Sequence, residues 1–363
     1  MPGRDLETLF WTCPDPFRLE GGEVLPCVRL AYETWGTLDA ARRNVVVILH
    51  ALSGSSHAFS SSLNPEPGWW EGLINDGSPL DPREHFIVCA NLLGGCYGST
   101  GPASVDPRTG SPYAASYPQI TTGDMIETLR ALLERLGALE SLTLVGGSLG
   151  GMLALEWAVA HPREVRNAIA LVSPGRSTPQ AIAFRSVQRE AILIDPGWNG
   201  GRCYDGSFPS KGLSLARKIG MIVYRSAREF EERFRRDKRD ERLHFLEGSF
   251  EVQSYLEHQG RKFCDRFDPN TYLYFSRAMD LYDLARGHGS LEAAASRVEA
   301  RVLHLAVDSD FLVPVEEVRL VHDALVKCGK DSRFEVIHSM HGHDAFLIEI
   351  ESVRGHLARF LEG

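Results

Sequence analysis

The hydrophobic pattern of this chain changes period in a regular way. Val45-Val46-Val47-Ile48-Leu49 is an unbroken, mostly β-branched apolar run, which predicts a strand buried on both faces. Residues 85–91, Leu142-Thr143-Leu144-Val145 and residues 165–172, 301–307 and 332–337 predict further strands. Residues 28–35 alternate apolar and polar, as an early, half-exposed strand does. Between these runs the spacing turns helical. Met125, Leu129, Leu132 and Leu133 mark the apolar face of a helix over Thr122–Leu136, with Thr122 as its cap. Residues 153–160 form helix readily and stop at His161-Pro162. Residues 314–327 carry Pro314 in the first turn and Gly329 past the end, and residues 350–361 predict a closing helix. Residues 1–23 read as an irregular arm, and residues 60–84 as a turn-rich segment whose Trp69-Trp70 pair would wall a pocket.

One interval breaks the alternation. After Ser173-Pro174-Gly175 the next strand-like run begins only at Arg301, and the chain between is helical and charged over residues 180–194, 212–224, 227–239, 250–260 and 270–284. An excursion of that length is too long for a loop and predicts an inserted helical cap. The expected organisation is a core of residues 1–175 and 299–363, with the cap over residues 176–298. Strands alternating with helices imply a mostly parallel central sheet, an α/β architecture.

Composition narrows the functional classes. With 43% hydrophobic and 24% charged residues, the 363-residue chain has the balance of an ordinary globular protein. A formal net charge of −9 without a Lys/Arg stripe argues against a nucleic-acid partner. No apolar run approaches a membrane span, and the Met1-Pro2-Gly3-Arg4 start lacks a signal core. Seven scattered cysteines without a C-x-x-C fit reduced thiols in a cytoplasm. The run Glu231-Glu232-Arg233-Phe234-Arg235-Arg236-Asp237-Lys238-Arg239 mixes signs at helical spacing, as a solvated face does.

Chemistry concentrates at Leu144-Val145-Gly146-Gly147-Ser148-Leu149-Gly150-Gly151-Met152. This is G-x-S-x-G between a predicted strand and a predicted helix, the context of a nucleophile elbow and of the α/β-hydrolase fold. Ser148 needs a base, and that base needs an orienting group; in this fold the chain order is nucleophile, acid, histidine. Ser339-Met340-His341-Gly342-His343-Asp344 follows the last strand and offers His343 beside a glycine. The preceding strand ends in Val307-Asp308-Ser309-Asp310, which offers two acids, Asp308 and Asp310. His338, His341 and His343 lack an H-E-x-x-H or cysteine context, so no metal is expected. Residues 94–102 are glycine-rich without a phosphate-loop signature and read as a structural loop at the site. His50 and His57 read as loop hydrogen-bonders.

With these places in hand, the sequence resembles the homoserine O-acyltransferase family. The matching pieces are Ala31-Tyr32-Glu33-Thr34-Trp35-Gly36, His50-Ala51-Leu52-Ser53-Gly54-Ser55-Ser56-His57, Gly68-Trp69-Trp70, Gly98-Ser99-Thr100-Gly101-Pro102, the elbow, Ala216-Arg217, Tyr224-Arg225-Ser226 and Gly342-His343-Asp344-Ala345-Phe346-Leu347. The resemblance implies Asp310 as the acid, over Asp308. It implies that Ser148 attacks an acyl-coenzyme A with His343 as base, and that the acyl group then passes to an amino-acid side-chain hydroxyl. The backbone N–H groups of Leu149 and Leu52 would hold the oxyanion, and Arg217 and Asp344 would bind the acceptor. Gly54 goes with homoserine in this family and Leu312 with acetyl rather than succinyl transfer, while Val313 stands where an aromatic is usual. Acetyl-coenzyme A is then a co-substrate and no resident cofactor is implied; a homodimer through the cap is. The rival class is a hydrolase with the same triad and water as acceptor.

Overall fold

In a computed structural model of the chain, which describes residues 8–61, 64–239 and 250–363, eight strands form one sheet. They are β1 (Leu9–Thr12), β2 (Arg29–Trp35), β3 (Val45–Leu49), β4 (Phe86–Ala90), β5 (Leu142–Gly147), β6 (Val165–Leu171), β7 (Arg301–Val307) and β8 (Ser332–Ile337), in the spatial order β1-β2-β4-β3-β5-β6-β7-β8. From β4 to β8 every neighbouring pair is parallel, whereas β2 runs antiparallel to both β1 and β4. Strand β3 sits between β4 and β5 and is buried throughout, as its unbroken apolar run demands. Of the arm, residues 1–7 lie outside the described residues. Leu9–Thr12 corrects the expectation of an irregular arm, because it pairs with β2 as an edge strand. The free edge of β2 supplies the backbone partners, and Arg29 lies over the Phe10 ring at 4.5 Å. That added strand also leaves β2 more buried than its alternation suggests. Glu33 is taken inside by an ion pair with His57 at 2.8 Å.

Ten helices are labelled here: α1 (Thr122–Leu136), α2 (Leu149–Ala160), α3 (Pro179–Leu193), α4 (Ser210–Val223), α5 (Ala227–Phe234), α6 (Glu251–Cys264), α7 (Pro269–Leu281), α8 (Leu291–Arg297), α9 (Val315–Lys327) and α10 (Ile350–Glu362). Helix α1 is capped by Thr121 rather than Thr122. Thr121 forms a reciprocal capping box with Asp124. One sheet face, with Val45, Val47 and Leu49, packs against α1, α2, α8 and α9. The opposite face, with Val46 and Ile48, is covered by α10 and by the turn-rich segment through Trp70, Leu73, Ile74 and Leu80. Successive β3 side chains therefore enter two different apolar layers, one on each face of the sheet. Helix α8 falls inside the stretch expected as cap, yet it packs on α2 and α9. Helix α5 ends at Phe234, short of the expected 239, because Arg235 takes a left-handed φ of 48°. Helices α3, α4 and α7 bring side chains over the Ser148 end of the sheet. No helix among the described residues is long and apolar enough to cross a membrane.

Two buried histidines work against the acid stability of this core. His304 in β7 has no hydrogen-bond partner for either ring nitrogen among the described residues, and burial pushes its pKa down to about 3. Burial likewise lowers His50 to about 4, against a smaller opposing effect of its bond to the Ala51 carbonyl. The unfolded chain binds these protons more readily than the folded one, so stability falls as pH drops from about 6.5 toward the folded pKa values. His50 alone corresponds to about 3 kcal/mol at the end of that window. Urea unfolding at pH 7 and pH 4.5 is expected to show this loss; equal midpoints would contradict it.

Candidate active site

The turn from β5 into α2 is closed by glycines for steric reasons. A Cβ on Gly146 would lie 2.3 Å from the Gly150 carbonyl carbon, and one on Gly150 would lie 1.9 Å from the Leu49 oxygen. Any side chain at either place would push α2 off the sheet. Ser148 itself carries φ 55° and ψ −120°, a strained backbone that lifts its side chain off the strand end. Its N–H donates to the Leu171 carbonyl at 2.9 Å, and its own carbonyl accepts from Met152 N–H at 3.0 Å, which anchors the turn on both sides.

His343 meets Ser148 across the end of the sheet. Its Nε2 lies 2.9 Å from Ser148 Oγ, and its Nδ1 lies 2.7 Å from Asp310 Oδ2. With the carboxylate ionised, Nδ1–H is the donor, which leaves Nε2 to accept the serine proton. Asp310 Oδ1 accepts from Leu312 N–H at 2.9 Å and Val313 N–H at 3.0 Å, so the turn that follows β7 fixes the carboxylate plane. Burial lowers the His343 pKa, but the charge and hydrogen bond of Asp310, with a contribution from Asp344, outweigh it and leave the net shift upward. Asp308, the alternative acid, turns outward to His338 at 2.8 Å. His341 lies instead 3.3 Å from Glu229, so the three histidines go to three different carboxylates. His244, another histidine that follows Ser148 in the chain, lies outside the described residues.

Ser148 and His343 open into a cavity of about 120 Å³ between the sheet end and α3, α4 and α7. Leu52 also lines it, and neither the Leu52 nor the Leu149 N–H has an acceptor among the described residues. Arg217 of α4 and Asp344 face the same cavity. Arg217 has no carboxylate partner among the described residues and rests over the Phe263 ring at 4.9 Å. Burial raises the Asp344 pKa, opposed by Arg225, His343 and Arg217. Arg225 is the missed member of the group: it lies 3.5 Å from Asp344 and also pairs with Glu229. It stands inside the Tyr224-Arg225-Ser226 match, which located it without giving it a task. Arg185 is a second missed lining residue. Its guanidinium is committed to Asp280 at 2.7 Å and to the Ser177 hydroxyl at 2.7 Å, partners on elements that no local pattern connects.

Two expected placements change. Trp70 does not wall the cavity; it is fully buried behind it and donates Nε1–H to the Phe346 carbonyl at 3.1 Å, bracing the backbone after His343. Trp69 stacks on it and donates to the Ser55 carbonyl at 2.9 Å. Gly54 stands behind the lining residues Ala51, Leu52 and Ser53, against the His50 side chain, whereas Leu312 does face the cavity. The glycine-rich loop is structural in detail, since Ser99 Oγ accepts from Ala31 N–H at 3.0 Å and Thr100 Oγ1 from Arg29 N–H at 2.8 Å.

Residues 44–349 match the model of the α/β-hydrolase fold family. The chain is 44% identical to homoserine O-acetyltransferase of Moorella thermoacetica, covering 98% of this chain and 96% of that protein. The chain belongs to the homoserine O-acyltransferase family. Serine O-succinyltransferase of Litchfieldella anticariensis, another member, is 43% identical over 97% of each chain, so identity by itself does not separate donors and acceptors. Among solved structures, homoserine O-acetyltransferase from Bacillus anthracis superposes with a TM-score of 0.91 at 29% identity, covering 98% of both chains. The α/β-hydrolase fold expected from the elbow is thus borne out.

Proposed function

We propose that the protein transfers an acetyl group from acetyl-coenzyme A to the side-chain hydroxyl of homoserine through an acyl-Ser148 intermediate. The observation that carries this reading is the Arg217 guanidinium, without a carboxylate partner among the described residues, facing the same cavity as Asp344, Ser148 and His343. A guanidinium fork suits an α-carboxylate and a carboxylate suits an α-ammonium, and water as acceptor would need neither. Ser148 Oγ attacks the thioester carbon while His343 Nε2 takes its proton. The tetrahedral oxyanion collapses, and the departing thiolate receives that proton. The homoserine hydroxyl then gives its proton to His343, attacks the acyl-serine carbon, and Ser148 Oγ leaves with the proton returned. Leu52 and Leu149 N–H groups hold the oxyanion in both halves, each such donor being worth roughly 10²–10³ in rate.

The donor and acceptor choices rest on two positions. Leu312 gives the cavity an apolar wall where a succinyl carboxylate would need a cation, and the neighbouring Arg185 is already held by Asp280 and Ser177. Gly54 is the residue that accompanies homoserine in this family. The relatives' names, acetyltransferases of homoserine among them, support the same choice. The test is release of coenzyme A thiol from acetyl-coenzyme A with and without homoserine. The proposal expects a single stoichiometric burst without acceptor and steady turnover with it. Arg217→Ala is expected to keep the burst and to raise the homoserine KM by about 10²-fold, the loss of a charge-assisted fork costing roughly 3 kcal/mol. Equal steady rates with and without homoserine would instead mark a thioesterase.

Use of acetyl-coenzyme A and the reduced-thiol pattern support a cytoplasmic location. A localised fluorescent fusion reads it directly. A homodimer through the cap is supported by Leu215 and Ile222, both exposed, seven residues apart on one face of α4. Sedimentation at the monomer mass would remove that part of the proposal.

A further inference from the structure

The two N–H groups assigned to the oxyanion hole, those of Leu52 and Leu149, are held in different ways. Leu149 N–H shares a peptide with the Ser148 carbonyl, and that carbonyl accepts from Met152 N–H, so the first turn of α2 sets its direction. Leu52 N–H lies in the irregular loop after β3, where no helix does this. Its peptide partner is the Ala51 carbonyl, and two donors converge there: His50 Nδ1 at 2.8 Å and Gly54 N–H at 2.9 Å. The peptide is trans, so fixing the Ala51 oxygen on the His50 side points Leu52 N–H the opposite way, toward the cavity. The imidazole is itself fixed. Leu92 N–H donates to His50 Nε2 at 3.0 Å, so Nε2 carries no proton and Nδ1–H must be the donor to Ala51. The ring is fully buried, and a Cβ on residue 54 would lie 2.8 Å from the His50 Cβ. Further along the loop, Arg266 Nη1 holds the Ser53 carbonyl at 3.1 Å.

We propose that His50 is a positioning residue for the oxyanion hole, aiming the Leu52 N–H through the Ala51 carbonyl. The inference rests on Leu52 N–H being an oxyanion donor. A hydrogen bond accepted by the carbonyl also polarises the peptide and makes its N–H a stronger donor. Gly54 then acts from behind the cavity, on the same carbonyl and against the same ring. A residue that lacks an N–H, or one with a side chain, would alter the oxyanion donor without touching the acceptor.

Two side chains divide the histidine's contacts between them. In His50→Gln the amide reaches the Nε2 position and keeps the Leu92 contact, but the side-chain donor to Ala51 is lost and only Gly54 N–H remains on that carbonyl. In His50→Asn the amide N–H takes the Nδ1 position and keeps the donor. His50→Gln is expected to slow both half-reactions, the burst of thiol release and the transfer to homoserine, by a similar factor of about 10- to 100-fold. Its homoserine KM should not change, and His50→Asn should recover most of the rate. A loss confined to one half-reaction, a change in KM alone, or equal loss in both variants overturns the proposal. If His50→Gln does not fold, His50→Asn decides: near-normal rates support it, and slowing of both half-reactions overturns it. The underlying reading is tested separately by replacing Leu52 with its α-hydroxy acid, which deletes that N–H alone. An ester at 52 without effect overturns the oxyanion assignment and the proposal with it. A slow ester variant beside a fully active His50→Gln overturns the role of His50 only.

Discussion

Ser148→Ala is expected to reduce turnover of acetyl-coenzyme A with homoserine by about 10⁶-fold, the loss that accompanies removal of a serine nucleophile acting with its histidine. The variant should fold. Its Oγ makes one hydrogen bond among the described residues, to His343 Nε2, while the strained backbone at residue 148 is imposed by the flanking glycines and by the Leu171 and Met152 hydrogen bonds. The measurement is thiol release under single-turnover conditions. A wild-type burst that vanishes in the variant places the acyl group on Ser148. A variant that still releases thiol on contact with homoserine would mean direct transfer, with His343 deprotonating the acceptor and no acyl-enzyme. The cavity makes this contrast informative, because Arg217 and Asp344 do not depend on Ser148 for their position. Homoserine should therefore still bind, so lost turnover can be assigned to chemistry.

The parts of the fold that were legible in the sequence are those in which one local pattern has one physical cause. Val45–Leu49 is apolar on both faces because both faces of β3 are covered, and the elbow glycines are required because α2 touches Leu49. Leu9–Thr12 was not legible, since three exposed residues and the half-buried Trp11 become a strand only when the edge of β2 is available. Helix α8 has seven residues and owes its place to packing on α2 and α9 rather than to a long apolar stripe. At the site, Ser148 and the histidine segment stood out through turn chemistry and chain order. Arg185, Arg225 and His50 did not, because each acts through a partner distant in sequence or through a backbone carbonyl. Trp70 shows the same limit: an aromatic in a turn-rich segment announces burial, but not whether it faces a cavity or a neighbouring backbone.

The cap and the histidine loop also share contacts that no motif declares. Asp344 N–H donates to the Tyr224 carbonyl at 3.2 Å, the Ser226 hydroxyl donates to the Met340 carbonyl, and Arg225 reaches Asp344 at 3.5 Å. Gly342 has φ 60°, and a Cβ there would lie 2.8 Å from the Tyr224 oxygen, so the junction of α4 and α5 sits directly on the loop that carries His343. The segment that supplies Arg217 therefore continues into the segment that braces the base. On the proposed roles of Arg217 and His343, acceptor binding and base position are mechanically joined, and a cap movement that opened this junction would also disturb His343.

Asp310→Asn is expected to lower kcat by about 10⁴-fold, whereas Asp308→Asn, two residues away, should leave it near the wild-type value. The pair separates two acids that chain order alone leaves equivalent. In Asp310→Asn the two backbone donors at Leu312 and Val313 still fix the side-chain oxygen, so the amide nitrogen is left facing His343 Nδ1. An amide N–H can only donate there, which forces the proton onto Nε2 and takes away the acceptor that Ser148 needs. The charge that favours the imidazolium is lost at the same time, so burial then dominates and the His343 pKa should fall. The residual activity should consequently rise with pH only as the serine proton is taken by hydroxide, and its profile should lose the acid limb that reports His343. In Asp308→Asn the amide oxygen can still accept from Ser339 N–H, as Oδ1 does at 3.0 Å, so the carboxylate is lost only to the exposed His338, which does not line the cavity. Equal losses in the two variants would mean that the loop after β7 responds as a unit and that the 2.7 Å contact of Asp310 does not orient the base.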